Sequence, residues 1–370
     1  IHSLYTEPHF MARIVAVVSN GCAPDPRVQR EAKWCSELGH EAEIHAFDRL
    51  ENLPASEIVD GVRIIRHRVG FVPYGGTWST WRGLRRFLAS VADSIGPVDL
   101  LHCHDADTLP LAKSMKDTPV LFDMHDLHHT WVRMPAPNSP IRRIISSRMK
   151  NNMLRRAKTV SSIITSSQGF SEWLRERDLN SVVVENRPQK AESPSFPERL
   201  TIGYFGRIRE VESFEFLFKA VLQIAETERP RIIIAGDGTK SKEVQRLASS
   251  YTKLDVNVRD SFTHADLPNL MSEISVMYAM YSSERGNIND GALPAKMFEA
   301  AAHGRPSIVN ANTPMGAVCE SEGLGVTVDW GDSQALALAI TGSKGTQVTL
   351  EIDESRERER FLSVLDQLKI

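Results

Sequence analysis

The chain has 370 residues, of which 41% are hydrophobic and 25% charged, and its formal net charge is −3. This length favours two domains, and the composition is typical of a globular enzyme rather than of a disordered chain. The near-neutral charge gives no electrostatic reason to expect a nucleic-acid partner. No apolar run reaches the roughly 18 residues that a transmembrane helix needs, so we expect a cytoplasmic enzyme.

The start of the chain and its cysteines carry little functional information. IHSLYTEPHF before Met11 resembles neither a signal peptide nor a strand, so residues 1–11 are interpreted as an added leader outside the fold. The four cysteines are far apart and form no CxxC pair. This spacing indicates reduced, mostly buried thiols rather than a metal or disulfide site.

Residues 12–186 alternate buried strands with helices. RIVAVVS at 13–19 is a continuous apolar run, typical of a strand that is buried on both faces. A helix is predicted from about Pro26 to Leu38, and Gly39 ends it. Further strands are predicted at 41–47, 62–69, 99–104, 119–125 and 161–167, with helix-length stretches between them. This order predicts βαβ units and a parallel sheet.

The same pattern starts again after residues 187–199, a polar stretch with three prolines that indicates an interdomain linker. Apolar runs such as LTIGYFG, RIIIAGDG and SVMYAMY predict the strands of a second domain, residues 200–350. Residues 351–370 are expected to form a C-terminal helix that packs back on the first domain. We therefore predict an α/β protein with two Rossmann-like, doubly wound parallel sheets facing a cleft, with one large domain as the alternative.

Six short segments, taken in chain order, carry a family resemblance. They are DPRVQREAKWCSELGHEAEIHAFDR, LLHCHDADTLPLA, VLFDMHDL, IGYFGRI, IIIAGDG and LPAKMFEAAAHGRPSIV. Together they resemble the retaining glycosyltransferases of family 4, which have the GT-B fold, over about residues 12–335. The resemblance implies a nucleoside-diphosphate sugar, of UDP or GDP type, bound mainly by the C-terminal domain, and an acceptor bound mainly by the N-terminal one. It implies no required metal or other cofactor. The first strand–helix turn of each half lacks GxGxxG, which argues against an NAD site.

The helix in LPAKMFEAAAHGRPSIV has the features of a donor-binding helix. Pro294 directs the chain into the helix and uses no amide where the first amides lack partners. The positive end of the helix favours a diphosphate, and Lys296 is expected to add a mobile cation there. By the resemblance, Glu299 is the second of the family's paired glutamates and accepts the ribose hydroxyls. A capped core helix is the alternative.

Two positions depart from the family pattern. Gly291 stands where the first glutamate holds the donor sugar, which suggests a backbone contact, help from Asp290, or a sugar that lacks that hydroxyl. Glu212 stands where many relatives have a lysine five residues after Arg207, so Lys296 and Arg209 are the expected substitutes. The predicted donor-binding residues are Gly206, Arg207, Arg209, Asp290, Gly291, Leu293, Lys296 and Glu299.

His125 is the predicted catalytic residue. It ends the strand VLFDMH, and the resemblance implies that it hydrogen-bonds the donor sugar as positive charge develops at the anomeric carbon. The family reaction is described as front-face substitution, in which the leaving phosphate takes the acceptor's proton. His125 is therefore expected to orient and stabilise rather than attack. Weaker candidates nearby are Asp105, Asp107, His128 and His129.

The loop after the first strand is a predicted donor or acceptor loop. Gly21 allows close approach of the backbone to a ligand, and Asp25 and Arg27 follow it. Relatives often have paired glycines at this point, and Cys22 breaks that pattern.

A basic, tryptophan-containing region predicts a membrane-facing surface. Residues 141–159 contain seven Lys or Arg and no Asp or Glu, with isoleucines at helical spacing, and a Trp-rich loop lies in 70–87. Such a helix can lie on an anionic membrane, here the inner face of the cell membrane. The alternative is a core-facing apolar stripe with a solvated back. The residues concerned are Trp78, Trp81, Arg142, Arg143, Arg148 and Lys150.

The resulting prediction is a retaining glycosyltransferase that moves a sugar to a hydroxyl of a glycan, a lipid-linked sugar or a small molecule. The first alternative is a sugar-nucleotide epimerase of the same architecture, although NDGALPAKMFEA lacks the Gly-Gly and paired-glutamate signature of such enzymes. The second is a non-catalytic sugar-nucleotide-binding homologue, which the departures at Gly291 and Glu212 leave open.

Overall fold

The computed structural model describes residues 11–73, 77–115, 117–133, 136, 138–285 and 287–370. They form two compact units: one runs to Glu185 and includes Glu357–Ile370, and the other is Asn186–Arg356. Each unit is an α/β structure built on a mainly parallel sheet, as the sequence predicted. Of the predicted leader, only Met11 lies within the described residues.

The first unit contains an eight-stranded sheet in the order β3-β4-β2-β1-β5-β6-β7-β8. Its strands are β1 (Arg13–Val18), β2 (Glu41–Phe47), β3 (Ser56–Val59), β4 (Val62–His67), β5 (Leu100–His104), β6 (Val120–Met124), β7 (Ser162–Thr165) and β8 (Val182–Val183). The helices between them are α1 (Pro26–Glu37), α2 (Thr77–Ser94), α3 (His128–Trp131), α4 (Pro140–Ala157) and α5 (Gln168–Arg175). The chain begins in the middle of the sheet and winds outward on both sides, which is the doubly wound topology.

Strand β3 was not predicted. It pairs antiparallel with β4 and forms the edge of an otherwise parallel sheet. Asp60 and Gly61 connect the two strands, and both have positive φ angles, 49° and 82°. A two-residue Asp-Gly connection of this kind matches the twist of a β-hairpin, so the turn explains the extra strand.

The second unit contains a six-stranded parallel sheet in the order β11-β10-β9-β12-β13-β14. Its strands are β9 (Thr201–Phe205), β10 (Arg231–Ala235), β11 (Asp255–Arg259), β12 (Val276–Ala279), β13 (Ser307–Asn310) and β14 (Gly325–Val328). Its helices are α6 (Glu212–Leu222), α7 (Ser241–Ser250), α8 (Leu267–Ser272), α9 (Ala295–Ala302), α10 (Pro314–Ser321) and α11 (Ser333–Gly342), and α12 (Glu354–Leu368) ends the chain.

The C-terminal helix and the predicted linker each pack on one unit. Most of α12 belongs to the first unit, where Phe361 and Val364 lie in a core cluster with Trp34. The predicted linker, 187–199, packs on the second unit, because the buried guanidinium of Arg305 donates to its backbone carbonyls. The linker residues that the structure describes are therefore fixed to one unit rather than free.

The strand orders place functional side chains at particular strand ends. In the first sheet β1 and β5 are neighbours although the chain leaves them in opposite directions, and β9 and β12 hold the same position in the second sheet. Ligands of doubly wound proteins bind at the carboxyl ends of the strands beside such a point. All four cysteines are buried free thiols, as expected. None of the helices in the described part of the chain is both long and apolar enough to cross a bilayer.

Candidate functional site

His125 follows the carboxyl end of β6 and is held on both sides by carboxylates. Its Nε2 lies 2.8 Å from Oδ2 of Asp123, and its Nδ1 lies 3.5 Å from Oδ2 of Asp105. Its backbone amide also donates to Asp105. The side chain of His125 is 17% exposed, whereas that of Asp123 is fully buried. A ligand can therefore reach this group at His125 and at Asp105, which is 14% exposed, but not at Asp123.

Asp123 is the centre of a buried network. Arg27 donates to both of its carboxylate oxygens at 2.7 Å, and Nδ1 of His104 lies 3.2 Å from Oδ2. Arg27 projects from α1 and is 4% exposed, and it also donates to the carbonyl of Val184. This corrects the expectation that Arg27 belongs to a ligand-facing loop, because a buried guanidinium with these partners holds the protein together.

The electrostatics of this network favour a charged His125. Burial alone would lower its pKa, but the carboxylates of Asp123 and Asp105 outweigh burial and raise the pKa from 6.5 to about 9. For Asp123, burial would raise the pKa, but Arg27 and His125 hold it well below its ordinary value. At neutral pH His125 is therefore an imidazolium, which donates but does not accept hydrogen bonds. The expected role of His125 at the donor sugar stays a prediction, which an imidazolium would fill as a hydrogen-bond donor.

The weaker candidates separate into two groups. His128 Nε2 lies 3.2 Å from Asp105, and His128 Nδ1 lies 3.6 Å from Asp107. Despite its burial, the charges of His128 and His125 lower the pKa of Asp105 to about 2. His129 instead packs against Trp173, with ring centroids 5.7 Å apart. The structure thus brings Asp105, Asp107 and His128 together with His125 and leaves His129 outside.

The loop after β1 is fixed by its own chain. Asp25 is the N-cap of α1 and accepts a hydrogen bond from the side-chain amide of Asn20. The carbonyl of Gly21 accepts from Arg66, and a Cβ at Gly21 would lie 2.5 Å from Leu53. Cys22 adopts a φ of 46°, which favours glycine, so the departure from paired glycines leaves the left-handed backbone in place. Asp25 therefore has a helix-capping role that the sequence analysis missed.

Four buried residues of the network were not predicted as a group. Each has one nitrogen or oxygen atom that lies within 4.8 Å of those of the others, close enough to suggest metal ligands: Glu31, His102, His104 and Asp123. His102 and His104 are two residues apart on β5 and so share one face of the sheet, which is the sequence signal that was available. The guanidinium of Arg27 lies 3.2 Å from Glu31 as well as against Asp123, so a protein cation already compensates these carboxylates.

In the second unit, Lys296 lies in the first turn of α9. It is 8% exposed, and its Nζ lies 3.1 Å from the ring centroid of Tyr204. That Nζ has no hydrogen-bond partner among the described residues. Burial and the neighbouring charge of Arg285 lower the pKa of Lys296 well below 10.5. The expected mobile cation is therefore wrong: the amine is held in place against an aromatic ring. Pro294 is the N-cap of the helix.

The loops that follow β9 and β10 approach each other closely beside Lys296. Gly206 has a φ of 140°, and a Cβ at this position would lie 3.6 Å from Lys296 Nζ. A Cβ at Gly236 would lie 2.0 Å from the carbonyl oxygen of Gly206, so only glycine fits there. Arg207 is exposed and donates to Asp237 at 2.7 Å. Two loops joined in this way present backbone and Arg207 at the end of β9.

Three further residues surround Lys296 and were not predicted from the sequence. Arg285 lies over the ring of Tyr281, 4.3 Å from its centroid, and Lys296 lies 5.6 Å from the same ring. Glu210 accepts from the amide of Ser282 at 2.9 Å. Tyr281 and Ser282 follow β12, so these contacts join the ends of the two central strands, β9 and β12.

The remaining donor-site candidates lie around the start of α9 and the start of α6. Glu299 is half-buried and Gly291 is buried with a φ of 125°, while Leu293 packs on the core. Arg209 is exposed and Asp290 half-buried. Glu212 begins α6 and accepts from the amide of Val211. A carboxylate at a helix start is favourable, which gives Glu212 a structural reason to replace a lysine.

The basic region differs from its prediction. Trp78 and Trp81 lie in the first turns of α2 rather than in a loop, and both are exposed. On α4 the buried residues are Ser146, Met153 and Ala157. Ile141 and Ile144 are exposed on the same side as Arg148, whereas Ile145 and Met149 are half-buried on the side of Met153. The apolar residues of α4 are therefore divided between two faces. Arg142 and Arg143 both make hydrogen bonds within the protein, and Lys150 is half-buried.

Both halves of the sequence match glycosyltransferase family models. Residues 23–188 match a model described as "Glycosyl transferase 4-like domain", and residues 199–342 match one described as "Glycosyl transferases group 1". A search of the curated proteins found no match.

Solved structures share the fold at low identity. Sucrose-phosphate synthase from Thermosynechococcus elongatus has a TM-score of 0.74 and 16% identity over 96% of each chain. Anabaena HepE in complex with UDP-glucose has a TM-score of 0.63 and 16% identity, over 97% of this chain and 98% of HepE. S. aureus TarM, solved with UDP, has a TM-score of 0.64 and 11% identity, over 96% of this chain and 99% of TarM. With both halves matched and the fold shared, the chain belongs to the glycosyltransferases of the GT-B type.

Proposed function

We propose that the protein is a retaining glycosyltransferase that uses a UDP-sugar and transfers its sugar to an acceptor hydroxyl. The observation that carries the proposal is the buried Lys296, whose Nζ lacks a hydrogen-bond partner among the described residues at the carboxyl edge of the second sheet. A buried, unpaired amine is unfavourable unless a ligand pairs with it. A diphosphate supplies the anion that this position lacks.

The surroundings of Lys296 suit a nucleoside diphosphate. Gly206 brings backbone close to the amine, and exposed Arg207 can exchange Asp237 for a phosphate. Glu299 lies one turn further along α9, at the position that the family resemblance assigns to the ribose. A cavity of about 310 Å³ at the ends of β10 and β11, with Ser261 and Phe262 in its wall, offers room for the base. We favour UDP over GDP because HepE and TarM were solved with UDP-glucose and UDP.

His125 is the proposed catalytic residue of the first unit. As an imidazolium it can donate a hydrogen bond to a sugar hydroxyl or to an anionic oxygen of the reacting donor. The reaction then needs no protein nucleophile, because the leaving diphosphate takes the acceptor's proton. The positions of Asp290 and Gly291 near the start of α9 are assigned to the donor sugar, with Leu293 and Arg209 as neighbours of the same site.

Product analysis tests the function. The protein is incubated with a panel of UDP- and GDP-sugars and of glycan and small-molecule acceptors, and products are identified by mass spectrometry, with NMR for the anomeric configuration. We expect a new glycoside that keeps the configuration of the donor. An epimerised nucleotide sugar in the absence of acceptor would instead establish an epimerase. Tight UDP binding without any product would favour a non-catalytic homologue.

His125→Ala tests the catalytic assignment. We expect kcat to fall strongly while donor binding stays within a few fold, because the contact of His125 strengthens as the reaction proceeds. His129→Ala is the matched control, because His129 is a neighbouring histidine that packs outside the cluster. Normal turnover by His125→Ala would remove this residue from the mechanism.

Contact with an anionic membrane stays a prediction for the acceptor side. It is supported by the exposed Ile141 and Ile144 beside Arg148 on α4, since apolar and basic groups on one face suit a charged interface. We expect salt-sensitive binding to vesicles that contain anionic lipid and none to neutral vesicles. Replacing Arg142, Arg143, Arg148 and Lys150 with Ser is expected to abolish binding and to spare turnover of a soluble acceptor. If the wild-type protein does not bind anionic vesicles at low salt, α4 has an ordinary solvated face and a soluble acceptor is favoured.

A further inference from the structure

The buried side of His125 contacts a network of charged and polar side chains. Within the group that contacts it, Asp123 and His104 have fully buried side chains, whereas His125 is 17% and Asp105 14% exposed. Three nitrogens approach one oxygen, Oδ2 of Asp123: Arg27 Nε at 2.7 Å, His125 Nε2 at 2.8 Å and His104 Nδ1 at 3.2 Å. The second oxygen, Oδ1, accepts from Arg27 at 2.7 Å.

We propose that Asp123 is the positioning residue of His125: it fixes the ring through Nε2–H and thereby leaves Nδ1–H as the nitrogen that meets a ligand. This inference rests on the proposed function of His125. The carboxylate of Asp123 accepts from Nε2, which also lies 3.0 Å from Nδ1 of His104, and it thereby assigns a proton to Nε2, as a third group orients the histidine in other catalytic sites. Nδ1 lies 3.5 Å from Asp105, which is an ion-pair distance and too long for a hydrogen bond, so its N–H remains available to a ligand.

Arg27 keeps Asp123 in place. Its two hydrogen bonds are parallel and charge-assisted, so they fix the plane of the carboxylate as well as its position. Arg27 is itself anchored by the carbonyl of Val184. The orientation of His125 is therefore set from α1 and β6 together, without any contact to a ligand.

The charges around His125 agree with a fixed imidazolium. The groups that face it are Asp123 from β6, His104 and Asp105 from the end of β5, Arg27 and Glu31 from α1, and His128 from α3, with Asp107 behind His128. Burial and the charge of His125 lower the pKa of His104, and they outweigh Asp123, which raises it. His104 is therefore neutral at neutral pH. Burial raises the pKa of Glu31 to about 8, so it is mostly protonated at neutral pH. Besides the two carboxylates on His125 and the guanidinium of Arg27, the imidazolium of His128 remains as a dominant charge. Despite its burial, the carboxylate of Asp105 raises the pKa of His128 well above 6.5.

A histidine NMR titration of the unliganded, full-length protein tests this inference independently of any activity. His125 is assigned by comparison with the spectrum of His125→Gln. In the wild type we expect His125 to carry protons on both nitrogens at neutral pH and to titrate near pH 9, against 6.5 for an ordinary histidine. In Asp123→Asn we expect the pKa to fall by about 2 units, to near the ordinary value. In the matched control Asp48→Asn, which alters another buried aspartate of the same unit that pairs with Arg68, we expect no change for His125.

Two results would overturn the inference: a wild-type His125 that titrates near 6.5, or an Asp123→Asn variant that leaves its pKa unchanged. If Asp123→Asn does not fold, the wild-type titration decides alone. The pH profile of kcat gives a second readout, since a raised folded pKa keeps the imidazolium below it and loses it as pH rises. We expect the alkaline limb to move from about pH 9 to about pH 6.5 in Asp123→Asn. Should the NMR shifts appear while no sugar donor is turned over, the proposed function fails and the positioning role of Asp123 stands.

Discussion

The two units bury charge at the carboxyl edges of their sheets in opposite ways. In the first unit, Asp123 is fully buried but receives hydrogen bonds from Arg27 and His125. In the second unit, Lys296 is also buried, with 8% exposure, and its Nζ has an aromatic ring on one side and no hydrogen-bond partner in the described part of the chain. At these two positions, the first unit pairs its buried charge within the protein, and the second unit leaves a buried amine without a hydrogen bond among the described residues.

The difference indicates what each region is for. Paired buried charges fix geometry, because every donor and acceptor is already in its working position before a ligand arrives. An unpaired buried amine costs stability, and such a cost at the end of a central strand is typical of a ligand site. In the proposed function, the first unit therefore orients a catalytic histidine, and the second unit binds an anion at Lys296.

The largest expected effect is on the stability of the first unit. Asp123→Ala leaves Arg27 buried without its bidentate partner, and breaking a buried pair from one side costs about 3–5 kcal/mol. Urea denaturation followed by circular dichroism measures it. Glu37→Ala is the control from the same unit, since its ion pairs with Lys33 and Arg358 are partly exposed and are each expected to contribute less than about 1 kcal/mol. Equal losses for the two variants would contradict the distinction between paired and exposed charge.

Glu299→Ala addresses the ribose contact next to Lys296. If Glu299 accepts two ribose hydroxyls, UDP binding weakens by about 2 kcal/mol while the fold is unchanged. Calorimetric titration with UDP measures this loss, and Glu215→Ala on the exposed side of α6 is the control. An unchanged affinity would exclude Glu299 from the ribose site.

Lys296→Met is expected to have a much smaller effect on folding than Asp123→Ala. Methionine has a similar length and needs no hydrogen bond. The variant therefore avoids the cost of burying an unpaired amine, and this offsets the lost contact with Tyr204. The free energy of unfolding without ligand should stay within about 1 kcal/mol of wild type in the same urea experiment. A loss of several kcal/mol would mean that Lys296 is a structural residue.

The smallest expected effect is the uptake of a proton when a diphosphate binds. Because burial lowers the pKa of Lys296 in the free protein, a diphosphate that pairs with the amine should raise that pKa and cause net proton uptake at alkaline pH. Uptake of less than about one proton is expected, measured by calorimetry in buffers of different ionisation enthalpy. The uptake should vanish in Lys296→Met, and its persistence there would assign the proton to another group.

Much of the fold could be predicted because periodicity reports burial. Continuous apolar runs such as residues 13–19 and 231–235 mark strands covered on both faces, and the structure has strands there. The hairpin at Asp60 and Gly61 was predictable from the Asp-Gly turn but was missed, since a short edge strand has little apolar signal.

The site was harder to predict because its key contacts join distant parts of the chain. Lys296 and Glu299 could be named from a single segment, but that Lys296 is enclosed depends on Tyr204, which lies far away in sequence. Asp123 was overlooked because it reads as an interruption within an apolar strand. Its meaning comes from Arg27, which is 96 residues away.

The most direct test of the central claim is the affinity of Lys296→Ala for UDP and for uridine, measured by calorimetry alongside Lys219→Ala, an exposed lysine on α6. If Lys296 pairs with a diphosphate, its removal should weaken the binding of UDP by about 2–3 kcal/mol, roughly a hundredfold, and leave the affinity for uridine unchanged. Lys219→Ala should bind both like the wild type. Equal losses for UDP and uridine, or no loss for UDP, would contradict the account.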